Sequence, residues 1–343
     1  EIRRDSLYDF DQFAATGTLL RPITFDILDD GNATTTNLIQ SARRDRGESR
    51  QYFQELRLAS DFAGPFNFMV GGNYYNERGT SSAVFTHSTI AARQQQVGLS
   101  AEFATLTTES TPLKTESFGF FGEVYFDLSD TTRLTGGVRY SHDKKSILTR
   151  QIFFNPKAVG SLPDFTAGDF EKGVVTGRVV LDHKFSPDVF GYASVSRGYK
   201  AGGINPGGTT GQQTFAPEFL NAFEVGLKGT TSDGTFRTNL SAFYYDYSDL
   251  QIGRVDVTTA TTVNTDATVY GAEAEFTVRP DSRFQVDGSI AFLNTKLKGF
   301  QSIDEADPFG VAGGTVPVLV GGVPLITARG VVKNLDGNEL PSS

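Results

Sequence analysis

Along residues 116–128, ESFGFFGEVYFDL, the side chains change character at every step. Phe118, Phe120, Gly122, Val124 and Phe126 fall on one side, and Ser117, Gly119, Phe121, Glu123, Tyr125 and Asp127 on the other. A period of two belongs to extended chain with one apolar and one polar face. The next run, RLTGGVRYSHD, repeats it after the polar turn Ser129-Asp130-Thr131, which makes a β-hairpin. Further hairpins follow the same plan, turning at Gly64-Pro65, Pro187-Asp188, Ser232-Asp233-Gly234 and Pro280-Asp281-Ser282. With a partial strand near residues 7–12, the pattern predicts about eleven strands.

The connections between hairpins differ from the turns within them. Residues 79–112, 150–171, 201–217 and 300–343 are long, rich in Gly, Thr and Asn, and read as loops. In an up-and-down sheet alternate connections lie at opposite ends, so one end is tight and the other carries long loops. That asymmetry, with runs at least as long as the 9–11 residues of a membrane-spanning strand, predicts an all-β, antiparallel up-and-down transmembrane β-barrel. A β-sandwich, as in a soluble binding protein, carries comparable loops at both ends and fits less well.

Polarity sets the register. A cation facing lipid at the bilayer midplane costs about 2–4 kcal/mol. Glu55, Arg57, Glu123, Arg139, Arg178, Glu224, Glu273 and Glu275 are therefore expected to face the lumen, and Asp287 with them. Tyr74, Tyr75, Phe126, Tyr140, Tyr244 and Tyr245 stand near strand ends as candidates for interfacial aromatic girdles.

Composition agrees and excludes other classes. The chain holds 29 Phe, 12 Tyr and 37 Gly, a profile suited to strands and tight turns. A net charge of −9 gives no electrostatic footprint for nucleic acid. With no cysteine, disulfides and thiol chemistry are out. The three histidines, His87, His142 and His183, stand far apart without metal-ligand spacing, so neither metal nor cofactor is expected, and no catalytic constellation suggests an enzyme. The mixed-charge run Arg43-Arg44-Asp45-Arg46 reads as a solvated loop or rim patch.

GYASVSRGYKAGGIN, residues 191–205, ends a strand in two cations and dissolves into glycine, with no helix behind it that could make a phosphate-binding loop. By hairpin parity Arg197, Tyr199 and Lys200 lie at the outer rim. They are candidates for binding lipopolysaccharide phosphates or an anionic ligand, or for snorkelling to water. The face that Arg197 takes is open, because Ala193 and Val195 share its parity.

This stretch resembles the barrel motif of TonB-dependent outer-membrane receptors of the iron-complex type. Other stretches resemble the same family in the same order: Glu55-Leu56-Arg57-Leu58-Ala59-Ser60, Phe121-Gly122-Glu123, Gly136-Gly137-Val138-Arg139-Tyr140, Glu224-Val225-Gly226-Leu227-Lys228, Phe243-Tyr244-Tyr245-Asp246-Tyr247 and Val269-Tyr270-Gly271-Ala272-Glu273-Ala274-Glu275. The resemblance covers about residues 50–300. It implies a roughly 22-stranded barrel with a plugged lumen, of which residues 1–343 are a partial barrel domain, cut at both ends, with the plug domain, its TonB box and the C-terminal strands outside it. It further implies the outer membrane of a Gram-negative bacterium. The partners it implies are the TonB complex, acting through the plug, an iron–siderophore complex or similar scarce nutrient, and outer-membrane lipid and lipopolysaccharide. A passive porin-type barrel stays open as an alternative.

Overall fold

The computed structural model describes residues 2–9, 18–25, 34–38, 41–87, 105–153, 164–206, 213–256, 259–303, 318–320, 323–325, 332–334 and 336–338. The described residues form strands β1 (Ile2–Asp9), β2 (Thr18–Phe25), β3 (Thr34–Leu38), β4 (Ser41–Ala59), β5 (Phe66–His87), β6 (Thr105–Ser129), β7 (Thr132–Phe153), β8 (Thr166–Ser186), β9 (Val189–Lys200), β10 (Gly203–Ile204), β11 (Thr214–Phe215), β12 (Glu218–Thr230), β13 (Phe236–Asp256), β14 (Thr259–Asp281), β15 (Phe284–Lys298), β16 (Gln301–Ile303), β17 (Val318–Val320), β18 (Val323–Leu325) and β19 (Val332–Asn334), with no helix among them. Eleven strands make one sheet in the order β1-β4-β5-β6-β7-β8-β9-β12-β13-β14-β15, every neighbour antiparallel. β1 and β15 are its two ends and do not pair with each other. The other strands pair two by two as small ribbons.

The turns are closed by local hydrogen bonds. Asn67 accepts from the Phe62 amide at 2.8 Å and donates to the Phe62 carbonyl at 3.2 Å, which folds the chain between β4 and β5. Between β12 and β13 the Asp233 carboxylate accepts from the Thr231 hydroxyl at 2.6 Å and from the Thr235 amide at 3.0 Å. These bonds favour the ionised form and hold the Asp233 carboxyl down to about 2. Gly234 follows at φ 71°, a left-handed conformation that a Cβ would strain.

Strand ends depart from the sequence reading. The first strand is Ile2–Asp9, not residues 7–12. Much of 79–112 continues as strand, because β5 runs to His87 and β6 starts at Thr105. Likewise β7 and β8 reach into the segment 150–171. Arg43-Arg44-Asp45-Arg46 lies inside β4 rather than in a loop. The reason is physical: β6 has 25 residues, far more than the 9–11 that cross a bilayer, so its outer part pairs in water and needs no apolar residues to do so.

The apolar side chains do not converge on an interior. Leu56, Phe120 and Ile290 are 73%, 63% and 71% exposed, although each belongs to the apolar side of its strand. A face so greasy and so bare needs lipid over it. The buried apolar cluster is small, built on Ala267, Leu297 and Phe300.

The apolar band slants across the sheet. Its long-loop edge is marked by Tyr74 and Phe118 on β5 and β6, and by Tyr244 and Tyr270 on β13 and β14. Following the cross-strand partners from Tyr270 back through Tyr244, Phe223, Val195, Val179, Gly136 and Val124 arrives at Phe68, six residues short of Tyr74. At about 3.3 Å per residue and about 4.8 Å per strand, a six-residue drift over seven strand steps is a slope of about 30°. A level membrane requires the strands to tilt by a similar angle, which approaches the 35–45° of outer-membrane barrels. Tyr140 belongs to this edge, whereas Tyr75 and Tyr245, expected there, lie on the polar face. Phe126 is on the apolar face at the turn end.

Candidate functional site: the polar face of the sheet

Side-chain alternation leaves one face for the ionisable residues. In the observed register Glu55, Arg57, Glu123, Arg139, Arg178, Glu224, Glu273 and Glu275 all stand on the side opposite the apolar band, as does Asp287. They do not form one cluster. The sheet divides them into two groups with different chemistry.

The first group spans β4 to β8 and is built around arginine. Arg57 Nε lies 2.5 Å from Glu55 Oε1. The Arg57 and Arg139 guanidiniums stand over the Phe121 ring, 5.9 and 5.4 Å from its centre. Arg139 donates to Asn73 Oδ1 at 2.7 Å and to Ser141 Oγ at 2.9 Å. Both acceptors are neutral, so no carboxylate among the described residues pairs with its charge. Arg178 and Glu123 form a two-pronged pair, with Nε–Oε2 at 2.7 Å and Nη2–Oε1 at 2.9 Å.

Two of these bonds skip a strand. Arg139 on β7 reaches Asn73 on β5 over β6, and Arg178 on β8 reaches Glu123 on β6 over β7. The strand beneath each crossing carries glycine. A Cβ on Gly119 would collide with the Arg139 guanidinium, and one on Gly137 would lie 3.0 Å from Glu123 Oε2 and 3.5 Å from Arg178 Cγ. Glycine here leaves the space through which long side chains couple alternate strands.

The second group spans β9 to β15 and is built around tyrosine and carboxylates. The Tyr192 hydroxyl donates to Glu224 Oε1, and the Tyr245 hydroxyl lies 3.5 Å from Glu224 Oε2. Glu275 accepts from Asn239 Nδ2 at 3.3 Å. Glu273 is exposed two residues away. Sequence reasoning missed Tyr192, although its alternation with Ser194 and Ser196 already put it on the polar side.

The 191–205 stretch resolves into two faces and a strap. Arg197 lies on the apolar side, its guanidinium 4.7 Å from the centre of the Phe219 ring. Lys200 lies on the polar side, 3.9 Å from Glu218 Oε2. Tyr199 donates to Asp143 Oδ2 at 3.0 Å. The β8–β9 pairing stops at Gly177 and Arg197, because β9 is only 12 residues long against 21 in β8. The glycine-rich chain that follows fills the notch. β10 and β11 pair with each other, and Ile204 packs where a Cβ of Gly168 would be. Lys145 Nζ donates to the Gly202 carbonyl at 2.7 Å. On the far side Asn205, 4% exposed, exchanges two bonds with the backbone of Thr262, at 2.9 and 2.8 Å. Asn264 does the same with Ala216, and Gln251 donates to the carbonyls of Ala201 and Ala216. Three neutral amides thus fasten the strap to β13 and β14. The strap uses its glycines for close packing, not for phosphate.

The histidines are placed apart. His142 stacks on Phe118, with ring centres at 4.9 Å, and stands 3.3 Å from Glu171. His183 shares a hydrogen bond with Thr132. The side chain of His87 lies outside the described residues. No group of three His, Cys, Asp or Glu able to hold a metal occurs among the described residues.

A tilted antiparallel wall with a bare apolar face, a polar face and turns shorter than its loops defines an outer-membrane β-barrel protein. The family model for the TonB-dependent receptor-like β-barrel matches residues 3–330, and the chain belongs to that family. It is an outer-membrane family of receptors and transporters of Gram-negative bacteria. The pesticin receptor of Yersinia pestis is 27% identical over 180 residues, which is 51% of this chain and 26% of that protein. The pesticin receptor of Yersinia enterocolitica is 26% identical over the same shares. The chain therefore spans about a quarter of the length of these relatives. Among solved structures, the ferric yersiniabactin uptake receptor of Yersinia pestis superposes with a TM-score of 0.59 at 21% identity, covering 78% of this chain and 38% of that one. The siderophore receptor PiuA of Acinetobacter baumannii gives 0.55 at 13% identity, covering 90% and 43%. A copper transporter gives 0.52 at 15% identity, covering 75% and 38%. These likenesses establish the fold.

Proposed function

We propose that this chain is barrel wall of a receptor that takes up an iron–siderophore complex, energised by the TonB complex through a plug domain. The family match along residues 3–330 carries the reading. The names of the pesticin receptor and the ferric yersiniabactin uptake receptor support an iron chelate as the cargo. In this reading the polar face is the lumen lining. Glu55, Arg57, Glu123, Arg139, Arg178, Glu224, Glu273 and Glu275 face the plug or the passing ligand. Arg139 is the first choice for an anionic group, because its own hydrogen bonds go to neutral oxygens. Arg197, Tyr199 and Lys200 serve the rim on both sides of the wall: Arg197 toward lipid, Lys200 toward the lumen.

The test is uptake of radioactive iron, presented as ferric siderophores, by cells carrying the full-length gene under iron limitation. Uptake that disappears in cells lacking the TonB complex supports the reading. Uptake that persists there points instead to a passive pore.

A further inference from the structure

The chain places glycine directly after aspartate at Asp30-Gly31, Asp233-Gly234, Asp287-Gly288 and Asp336-Gly337. Such a step carries its own reaction. The glycine nitrogen attacks the carboxyl carbon of the aspartate side chain. A C–N bond forms, the carboxyl C–OH bond breaks, and the hydroxyl leaves with the amide proton as water. Water then reopens the five-membered ring at either carbonyl. One opening restores aspartate, and the other leaves isoaspartate, with the main chain running through the side chain. Glycine permits the ring because it has no Cβ to obstruct it. Two conditions gate the step. The carboxyl must be neutral, because a carboxylate has no hydroxyl to lose, and the amide nitrogen must be free to turn toward it.

Asp30-Gly31 lies outside the described residues. At Asp287 the Thr277 hydroxyl and the Gln285 amide each donate to the carboxylate at 2.7 Å, and pairing of Gly288 with Phe276 keeps the chain extended. At Asp336 the carboxylate accepts from the Gly299 amide at 3.0 Å, and the Gly337 amide donates to the Leu297 carbonyl at 2.8 Å. Both steps draw partners from beyond their own turn.

At Asp233-Gly234 a single neighbour holds both reacting groups. The Thr231 hydroxyl donates to the Asp233 carboxylate at 2.6 Å, and the Thr231 carbonyl accepts from the Gly234 amide at 2.8 Å. The same hydroxyl accepts from the Phe236 amide at 2.9 Å, which leaves its proton for the carboxylate. The Thr235 amide is a second donor to Asp233, at 3.0 Å. Burial gives no protection here. Residues 231–234 are exposed, and a Cβ on Gly234 would meet nothing within 4 Å among the described residues, so water and room for the ring are both at hand. The depression of the Asp233 carboxyl to about 2 agrees with the bonding, since the neutral acid that the reaction needs is then scarce.

We infer that Asp233-Gly234, in the turn between β12 and β13, is a latent self-modification site that forms isoaspartate, and that Thr231 keeps it closed. The Thr231 hydroxyl holds the carboxylate and the Thr231 carbonyl holds the nitrogen. Conversion would add one main-chain atom to a turn whose flanking strands are in register up to Thr230 and Arg237. The basis is the chemistry of the turn, so the site stands or falls independently of iron uptake.

The test ages the full-length receptor at mildly acidic pH, folded in mild detergent and unfolded in guanidinium chloride. Trypsin then releases residues 229–237 as one peptide, GTTSDGTFR. Its isoaspartate form has the same mass, separates on chromatography and is labelled by isoaspartyl methyltransferase. Heat-modifiable gel mobility reports which samples are folded. The folded parent should convert at least about tenfold more slowly than the unfolded parent, the factor expected from one charge-assisted hydrogen bond. Folded T231V, which keeps the carbonyl and loses the hydroxyl, should convert about tenfold faster than the folded parent. T231S keeps both groups and should match the parent. The comparison within the parent stands even where a variant fails to fold. A folded parent that converts as fast as the unfolded one would overturn the closure, and so would folded T231V that ages no faster than the parent. An unfolded parent that forms no isoaspartate in this peptide would overturn the reactive step itself.

Discussion

The two halves of the polar face solve one problem in opposite ways. From β4 to β8 the charges are arginines held at long reach over glycine, through Arg139–Asn73 and Arg178–Glu123. From β9 to β15 the charges are carboxylates held at short reach by phenols, through Tyr192 and Tyr245 on Glu224. A guanidinium has several donors in a rigid fork and tolerates a long stem, so it can couple alternate strands. A phenol has a single donor on a stiff ring, and Tyr192 and Tyr245 each spend it on a neighbouring strand. The difference makes one half a stapled lattice and the other a series of local pairs.

The contrast predicts unequal costs, which unfolding of the refolded full-length protein in urea measures. Replacing Arg178 by Met leaves the Glu123 carboxylate, only 10% exposed, without its two donors, and should cost about 2–3 kcal/mol. Arg57→Met, on a more exposed pair, should cost no more than about 0.5 kcal/mol. Equal losses would show that exposure does not rank the staples. Gly119→Val should displace Arg139 from Asn73 and cost about 1–2 kcal/mol. Combined with Asn73→Ala the losses should fall well short of adding, because both remove one bond; full additivity would mean that the glycine serves something else. In the other half Tyr192→Phe should cost about 1 kcal/mol and Tyr245→Phe less, in line with its 3.5 Å contact. If Tyr245→Phe proved the larger loss, the order of the two phenols on Glu224 would be wrong.

The smallest effect lies in the turn between β12 and β13, outside both halves. The Asp233 carboxyl is lowered to about 2 in the fold, against about 3.9 unfolded. Its stabilisation is therefore present above about pH 4 and vanishes as pH falls through about 2. Asp233→Asn should be slightly less stable than the parent at pH 7 and indistinguishable from it at pH 1.5. A difference that persists in acid would assign the effect to shape rather than charge.

Most of the wall could be read from the chain alone, since alternation and turn chemistry act over a few residues. Phe118 to Phe126 and the Ser129-Asp130-Thr131 turn suffice to draw the β6–β7 hairpin, and parity put Glu123 and Arg139 on one face. The outer strand ends were illegible, because Gly79-Thr80-Ser81-Ser82 pairs in water and breaks the apolar alternation of β5. Partnerships were illegible for a different reason. Glu123–Arg178 depends on the register of three strands, and Asn205–Thr262 on a chain that crosses from one strand pair to another. Nothing local in Gly202-Gly203-Ile204-Asn205 announces where its amide will land.

That strap bears on the use of such barrels as display scaffolds. A peptide grafted at Gly202-Gly203 or at Phe215-Ala216 would have to break the amide fastenings of Asn205, Gln251 and Asn264 before it could protrude. The notch above β9 would then open along the bare edge of β8. The most glycine-rich connection of this wall, which looks from its composition like the safest point of insertion, is the one an engineer should leave alone.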